Sequence, residues 1–439
     1  MAPAHPYPSL ARIVLSYPAI DNHTHPLLIE GQRDALPFEQ LVSEASGASA
    51  ANIPHTLVFH NATARLSELY GLPPFLKTDQ AEMIAAHPPD PETVPEIVPG
   101  IGPDSSWAAL KAHRAKTPYE ELCRRAMNAC HLETMLFDDG LDGVKELCAP
   151  RDWHDRFARS PCKRIVRIET VAQDILSTLF ADLYRADRTK ARRPDRKFCV
   201  VWLTTVIHSL RDALKNPDVV GFKSVVCYRT GLAVDPLPAE IVHKLQGEAK
   251  DSTAVPKIRI EHKSLNDVLV GIVMAISAIY HKPVQFHTGL GDSDIVLANS
   301  SPAFLQPLIN ANPNGIFVLL HCSYPYSREA AYLCSMYENV YLDFGEIFAM
   351  ISGDGCREVI SQILELAPSN KIMWSSDGHW WPESFYLGSL MAREALLEVL
   401  TSSIRTSRLP LSWAVQLAKD ALFNTANRVY DLRLTPPEF

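Results

Sequence analysis

The chain has 439 residues, is 47% hydrophobic with mean hydropathy near zero, and carries a formal charge of −8. These values suit a large apolar core in one big domain or two ordinary ones, and with no dominant basic stretch they exclude nucleic acid as an expected partner. No apolar run approaches the ~20 residues that a bilayer-spanning helix needs, so no membrane segment is expected.

In chain order, Met1 to Pro8 is rich in Ala and Pro and lacks a charged start followed by an apolar core, so it does not read as a signal peptide. The first β-rich run, Pro18–His23, leads into Asp21-Asn22-His23-Thr24-His25-Pro26. Histidines two apart on a strand share a face, because side chains alternate with period two. Two neutral imidazoles converging at a strand end supply half of a divalent metal site. Between Pro26 and Cys130 lies an interval far too long for a structureless loop. It holds amphipathic segments around Phe38–Glu44 and Thr63–Tyr70, then the Pro-rich stretch Ala86–Pro103. We read 27–130 as a mostly helical insertion over the mouth of the fold.

Seven further β-rich runs follow: Thr134–Asp138, Arg164–Glu169, Val219–Cys227, Pro283–His287, Ile316–His321, Val340–Phe344 and Ile372–Ser376. Helical patterns separate most of them, at Val171–Asp187, Phe198–Lys215, Leu265–Tyr280, Pro302–Asn310, Arg328–Tyr337, Cys356–Leu366 and Ser384–Leu400. Leu411–Tyr430 closes the chain. Ser264, with Asp267 three residues on, fits the N-cap of one helix. The basic segment Arg185–Lys197, broken by Asp187, Pro194 and Asp195, reads as a solvated loop. Parallel βα units in this number predict an α/β protein, a (β/α)8 TIM barrel spanning 1–439 as one domain. The nine cysteines, an odd number without a Cys-x-x-Cys pair, sit mostly in apolar surroundings such as Cys199, Cys227 and Cys334. Buried thiols in a reducing compartment, the cytoplasm, are expected.

In such barrels functional groups sit at the C-terminal ends of strands. The first predicted strand ends in His23 and His25, the fifth in His287, the sixth in His321 and the eighth in Asp377. That order and placement point to a metal centre. It also resembles the amidohydrolase superfamily of metal-dependent barrels. More narrowly, Gly221-Phe222-Lys223-Ser224, Tyr228-Arg229-Thr230-Gly231-Leu232, Gln285-Phe286-His287-Thr288-Gly289, Gly291-Asp292, Tyr324-Pro325-Tyr326 and Ser375-Ser376-Asp377 resemble one branch. This is the amidohydrolase-related branch found at the N-terminus of fungal FluG and plant nodulin–glutamine-synthetase-like proteins.

The resemblance implies a divalent metal, zinc first, with manganese or iron as alternatives. It makes His23, His25 and Asp377 ligands of the more buried ion, and Asp377 the general base toward a metal-activated water. His287 would ligate the same ion or a second one; His321 would ligate a second ion or hydrogen-bond the substrate. Lys223 would bridge two ions as a carbamate, as in binuclear members, or else anchor a charge inside the barrel. Lys223 and Arg229 are six residues apart, roughly 20 Å on an extended chain, so one site holds both only if the strand ends early and turns back.

Arg229, after Tyr228, suits a substrate carboxylate, since its planar fork matches that group bidentately; a surface salt bridge is the competing use. Arg167 and Glu169 share a face at the end of the third strand, where an Arg–Glu pair inside the barrel would be purely structural. Trp380 and Trp381 wall the pocket or pack in the core, and Asp343 and Glu346 carry no assignment. The expected activity is hydrolysis of a C–N amide bond in a small carboxylate-bearing molecule, with a γ-glutamyl amide suggested by the family. Non-oxidative decarboxylation on the same barrel and a catalytically retired signalling protein are the alternatives. A small-molecule substrate is the expected partner, and a homo-oligomer is compatible with the sequence.

Overall fold

The computed structural model describes residues 5–72, 103–186, 196–235 and 258–438. The Pro-rich positions 86–102 and the basic positions 187–195 lie outside these. Strands β1 (Ala19–Thr24), β2 (Leu132–Asp138), β3 (Lys163–Arg167), β4 (Val219–Ser224), β5 (Val284–Phe286), β6 (Phe317–Leu319), β7 (Val340–Phe344) and β8 (Ile372–Trp374) form one eight-stranded parallel sheet in that order. The loop after β8 returns to β1: Asp377 N–H donates to His23 O at 3.1 Å, and His25 N–H to Gly378 O at 2.8 Å. The protein is a TIM barrel, and both faces of its strands are covered. Ile20, Leu136, Phe222, Phe286, Phe317, Leu342 and Trp374 are all buried, as expected of parallel strands under a helical shell.

The helices of nine residues or more are α1 (Pro8–Ser16), α2 (Leu57–Tyr70), α3 (Pro103–Lys116), α4 (Tyr119–Ala129), α5 (Ile168–Ala186) and α6 (Arg196–Ala213). They continue with α7 (Lys263–Tyr280), α8 (Ser327–Met336), α9 (Gly353–Ile363), α10 (Pro382–Arg405) and α11 (Leu411–Lys419). Among the described residues α7 alone is long and apolar enough to cross a membrane; it packs on β5, α5 and α6 as a barrel helix. Between β1 and β2 the described residues are mainly 3-10 turns and helices. α2 opens where the Thr56 hydroxyl accepts from Phe59 N–H at 3.3 Å and stops at Gly71, whose φ of +67° is the left-handed C-cap that glycine adopts freely. Arg114 of α3 and Tyr70 of α2 both bond Glu383 in the first turn of α10, which ties this segment to the barrel.

Four local expectations are corrected. β4 stops at Ser224 rather than Cys227, because Glu169 accepts from the Ser224 hydroxyl (2.7 Å) and Val225 N–H (3.0 Å) and pulls the chain out of the sheet. Glu169 therefore does not pair with Arg167: β3 ends at Arg167, α5 starts at once, and Arg167 pairs with Asp138 at 2.6 Å. α7 starts at Lys263, so Ser264 lies inside its first turn and caps nothing, while Asp267 takes the Lys263 ammonium at 2.7 Å. The closing helix is interrupted by a π-turn, Asp420–Asn424, which shifts the phase of everything after it. Tyr430 then lies fully buried with its hydroxyl under the barrel interior.

Candidate metal centre

Polar side chains of β1 are wholly buried, and cross-barrel hydrogen bonds support them. The β1–β2 register slips between Asp21 and Thr24, so strict alternation fails there and both Asn22 and His23 reach partners across the barrel. Asn22 Nδ2 donates to Asp343 Oδ1 and to Trp374 O, both at 2.7 Å. Gln285 Nε2 donates to Asn22 O at 2.7 Å, and that backbone carbonyl can only accept. The Gln285 amide is therefore fixed with Oε1 facing His23 Nδ1, 2.9 Å away, so Nδ1 carries the proton.

His25 reaches the same state, its Nδ1–H donating to Asp138 O at 2.7 Å. Both rings thus turn proton-free Nε2 edges toward Asp377, whose Oδ1 lies 3.1 Å from His23 and 3.4 Å from His25. That oxygen is buried and has no hydrogen-bond donor. Two imidazole edges and a carboxylate oxygen converge with no proton between them, the Lys223 amine lying 3.2 Å from His23 Nε2 as a neighbouring donor, and such a set could hold a divalent cation. Burial, with Lys223 adding, pushes His23 down to about 4, so the ring stays neutral as a ligand must. Asp377 has a φ of +50°, uncommon for a non-glycine residue.

Beside this set stand His287, His321 and Glu346, all buried. His287 Nε2–H donates to Leu290 O at 2.7 Å, which leaves Nδ1 proton-free. Burial holds His287 and His321 well below the ordinary histidine range and Glu346 well above the ordinary carboxylate range; for Glu346 the Asp377 charge adds to this. Lys223, 1% exposed, brings its amine to 3.2 Å from His23 Nε2, and burial pushes its pKa down to about 8. Because the chain leaves β4 at Ser224 and turns through Val226–Tyr228, Tyr228 and Arg229 fold back over the same site.

One cavity of ≈ 250 Å³ collects every candidate residue: His23, His25, Lys223, Tyr228, Arg229, His287, His321 and Asp377. Tyr228 packs against His287 with the rings tilted by 52° and their centroids 4.4 Å apart, and abuts Gly291, where a Cβ would collide with its hydroxyl. Among the described residues the buried Arg229 Nε has no acceptor; burial and then Arg259 lower the pKa of the guanidinium. Trp380 lines the cavity, whereas Trp381 is core, edge-on to Phe38 at 5.8 Å.

The cavity also holds Arg167 and Glu346, which sequence reasoning named at strand ends without a role in the site, and Glu44, Arg259 and His379, which it did not single out. The strand-end rule, applied to every strand, would have found Arg167 and Glu346. Nothing local marks Glu44 or Arg259.

Residues that could hold a metal lie at the strand ends of a parallel eight-stranded barrel, and the chain is similar to the amidohydrolases, whose family model matches residues 280–432. Over nearly its whole length it is similar to the FluG protein of Emericella nidulans, at 38% identity over 98% of this chain and 47% of FluG. It thus spans about half the length of that relative. Two solved structures share the fold. A Lactobacillus casei protein assigned as a metal-dependent hydrolase has a TM-score of 0.73 at 22% identity, covering 96% of this chain and 97% of its own. A uronate isomerase from Bacillus halodurans has 0.59 at 13%, covering 96% and 95%.

Proposed function

We propose that the chain is a metal-dependent hydrolase of the C–N amide bond in a small carboxylate-bearing molecule, with a γ-glutamyl amide first among substrates. The observation that carries this reading is the convergence of the proton-free edges of His23 and His25 on Asp377 Oδ1. The two imidazoles and one carboxylate suit zinc best, with manganese or iron as substitutes. When bound, such a cation polarises a carbonyl and lowers the pKa of water toward ~7.

The chain supplies the remaining parts. Asp377, beside the reacting atoms, takes the proton of the attacking water and hands it to the leaving nitrogen. Asp138 O and Gln285 hold the two imidazoles in the ligand tautomer. Arg229 grips the substrate carboxylate, and Tyr228 walls the adjoining face.

Arg229 has Arg259 and Arg167 but also Glu169 and Asp142 as charged neighbours, and Glu44 has Asp377 and Asp292 together with His379 and His25, so both ends of the cavity are mixed in charge. Glu44, from the described part of the insertion after β1, lines the cavity, and cysteines present as thiols rather than disulfides accord with the cytosol.

The experiment is metal analysis of protein purified without chelators, followed by a screen of γ-glutamyl and other amides. Bound divalent metal, mostly lost in the His23→Ala/His25→Ala variant, together with amide turnover, is expected. Protein without metal that added metal does not activate would sink the reading.

A further inference from the structure

Tyr430 takes no part in the chemistry above, yet its hydroxyl is the hub of the buried hydrogen bonds under the candidate ligands. The residue is 0% exposed. Gln285 Nε2 donates to the hydroxyl at 2.8 Å, and Asn22 Oδ1 lies 3.2 Å from it. The direction of each bond is fixed. Gln285 has two amide protons: one goes to Asn22 O, a carbonyl that only accepts, and the other to the Tyr430 oxygen. The phenol proton is then free for Asn22 Oδ1. Asn22 must present oxygen there, because its Nδ2 protons go to Asp343 Oδ1 and Trp374 O. Burial raises the pKa of Tyr430, so the hydroxyl keeps the proton it donates.

Two arms run from this hub to the site. One ends at His23, where Gln285 Oε1 accepts from Nδ1–H at 2.9 Å and leaves Nε2 bare toward Asp377. The other passes through Asn22 to Asp343, whose Oδ2 accepts from the Ser375 hydroxyl at 3.0 Å and from the His321 backbone N–H at 3.2 Å. Every polar atom of the first arm is satisfied only while the Tyr430 hydroxyl is present. Without it, one Gln285 amide proton and Asn22 Oδ1 lose their partner together, deep in the barrel.

The backbone shows how the phenol comes to lie there. Tyr430 follows the π-turn Asp420–Asn424, which packs on β1 and β8. One extra residue in a helical turn rotates all that follows by about 100°, and single π-turns inside helices recur at functional sites. Asp420 Oδ1 accepts from the side chains of Gln416 and Asn424, both at 2.8 Å, across this turn.

We propose that Tyr430 is a positioning residue for the metal centre: its hydroxyl locks Gln285, and Gln285 in turn holds the His23 ring in the tautomer that ligates. The inference rests on the metal-dependent reading above, but its first readout needs no metal.

The test compares Tyr430→Phe, which removes only the hydroxyl, with Tyr119→Phe. The latter removes another buried hydroxyl, bonded to Leu28 O, from a residue that does not line the cavity. In the metal-free full chain labelled with 15N-histidine, the His23 Nδ1–H is assigned by its absence in His23→Ala. Its exchange with solvent is expected to be ~10-fold faster in Tyr430→Phe and unchanged in Tyr119→Phe. The dissociation constant for Zn2+, measured by chelator competition, is expected to rise ~10–100-fold in Tyr430→Phe alone. Should Tyr430→Phe fail to fold, Asp420→Ala serves instead: loss of the acceptor across the π-turn loosens the seat of the phenol and speeds the same exchange.

Unchanged exchange or unchanged Zn2+ affinity in Tyr430→Phe overturns the positioning role, as does unchanged exchange in Asp420→Ala where that variant is used. Equal weakening of Zn2+ binding in Tyr119→Phe overturns it in favour of a general loss of stability. Wild-type protein that binds no Zn2+ removes the metal-dependent reading itself, and the exchange rates then still decide whether Tyr430 holds the ring.

Discussion

Glu383→Gln probes how the segment between β1 and β2 is held to the barrel. The side chains of Glu383 and Arg114 are 0% and 3% exposed, Arg114 Nε donates to the carboxylate at 2.5 Å, and the Tyr70 hydroxyl donates at 2.8 Å. Asp34, 4.0 Å from the same guanidinium and largely solvated, compensates little. Glutamine keeps the shape and an acceptor for the donors but removes the charge. A guanidinium cannot shed its proton, so it stays buried and unpaired. Breaking one side of such a pair costs about 3–5 kcal/mol.

Adding Arg114→Met removes the stranded charge and keeps an apolar stem against Phe38, whose ring lies 3.8 Å from the guanidinium. The remaining loss is the cation–π attraction and part of a hydrogen bond, about 1–2 kcal/mol. The double variant is therefore expected to be more stable than Glu383→Gln alone. Urea unfolding followed by tryptophan fluorescence measures both, and amide hydrogen exchange across α3 reports local release. A double variant no more stable than the single would refute the reasoning.

Asp377→Asn keeps one oxygen in place but cannot accept a proton, so kcat is expected to fall at least ~10²-fold with metal partly retained. Steady-state kinetics on the amide found in the screen decide it, and near wild-type turnover would exclude the proposed base. Arg229→Lys keeps the charge but loses the fork; a raised KM confined to carboxylate substrates is expected, and an unaltered KM would remove the assignment. His154, which donates to Pro150 O and accepts from Leu27 N–H, is pushed by burial from 6.5 to about 4. As pH falls through 6.5 the unfolded chain gains a proton that the fold takes up only near 4, so stability is intact above 6.5 and about 3 kcal/mol is lost on the way down. His154→Gln should flatten that slope in urea midpoints between pH 7 and 4.5; an unchanged slope would place the titration elsewhere.

The strands were readable because buried parallel strands are short apolar runs, and His287, His321 and Asp377 directly follow such runs. Chain order and period two were enough to nominate residues that the fold gathers into one cavity. The slip in β1 was not readable, because it depends on how β2 pairs alongside. The same is true of the early end of β4. Glu169, 55 positions away from Ser224, ends that strand, and after the turn that follows Arg229 lines the same cavity as Lys223. Glu346 followed an apolar run as plainly as His321 did. Its place 3.3 Å from His321 Nδ1 rests on a tight turn at Glu346, which has no local signature. Arg114 and Glu383, 269 positions apart, show the general reason: periodicity reports which face of an element is buried, whereas pairing of buried charges depends on which elements the closed barrel brings together.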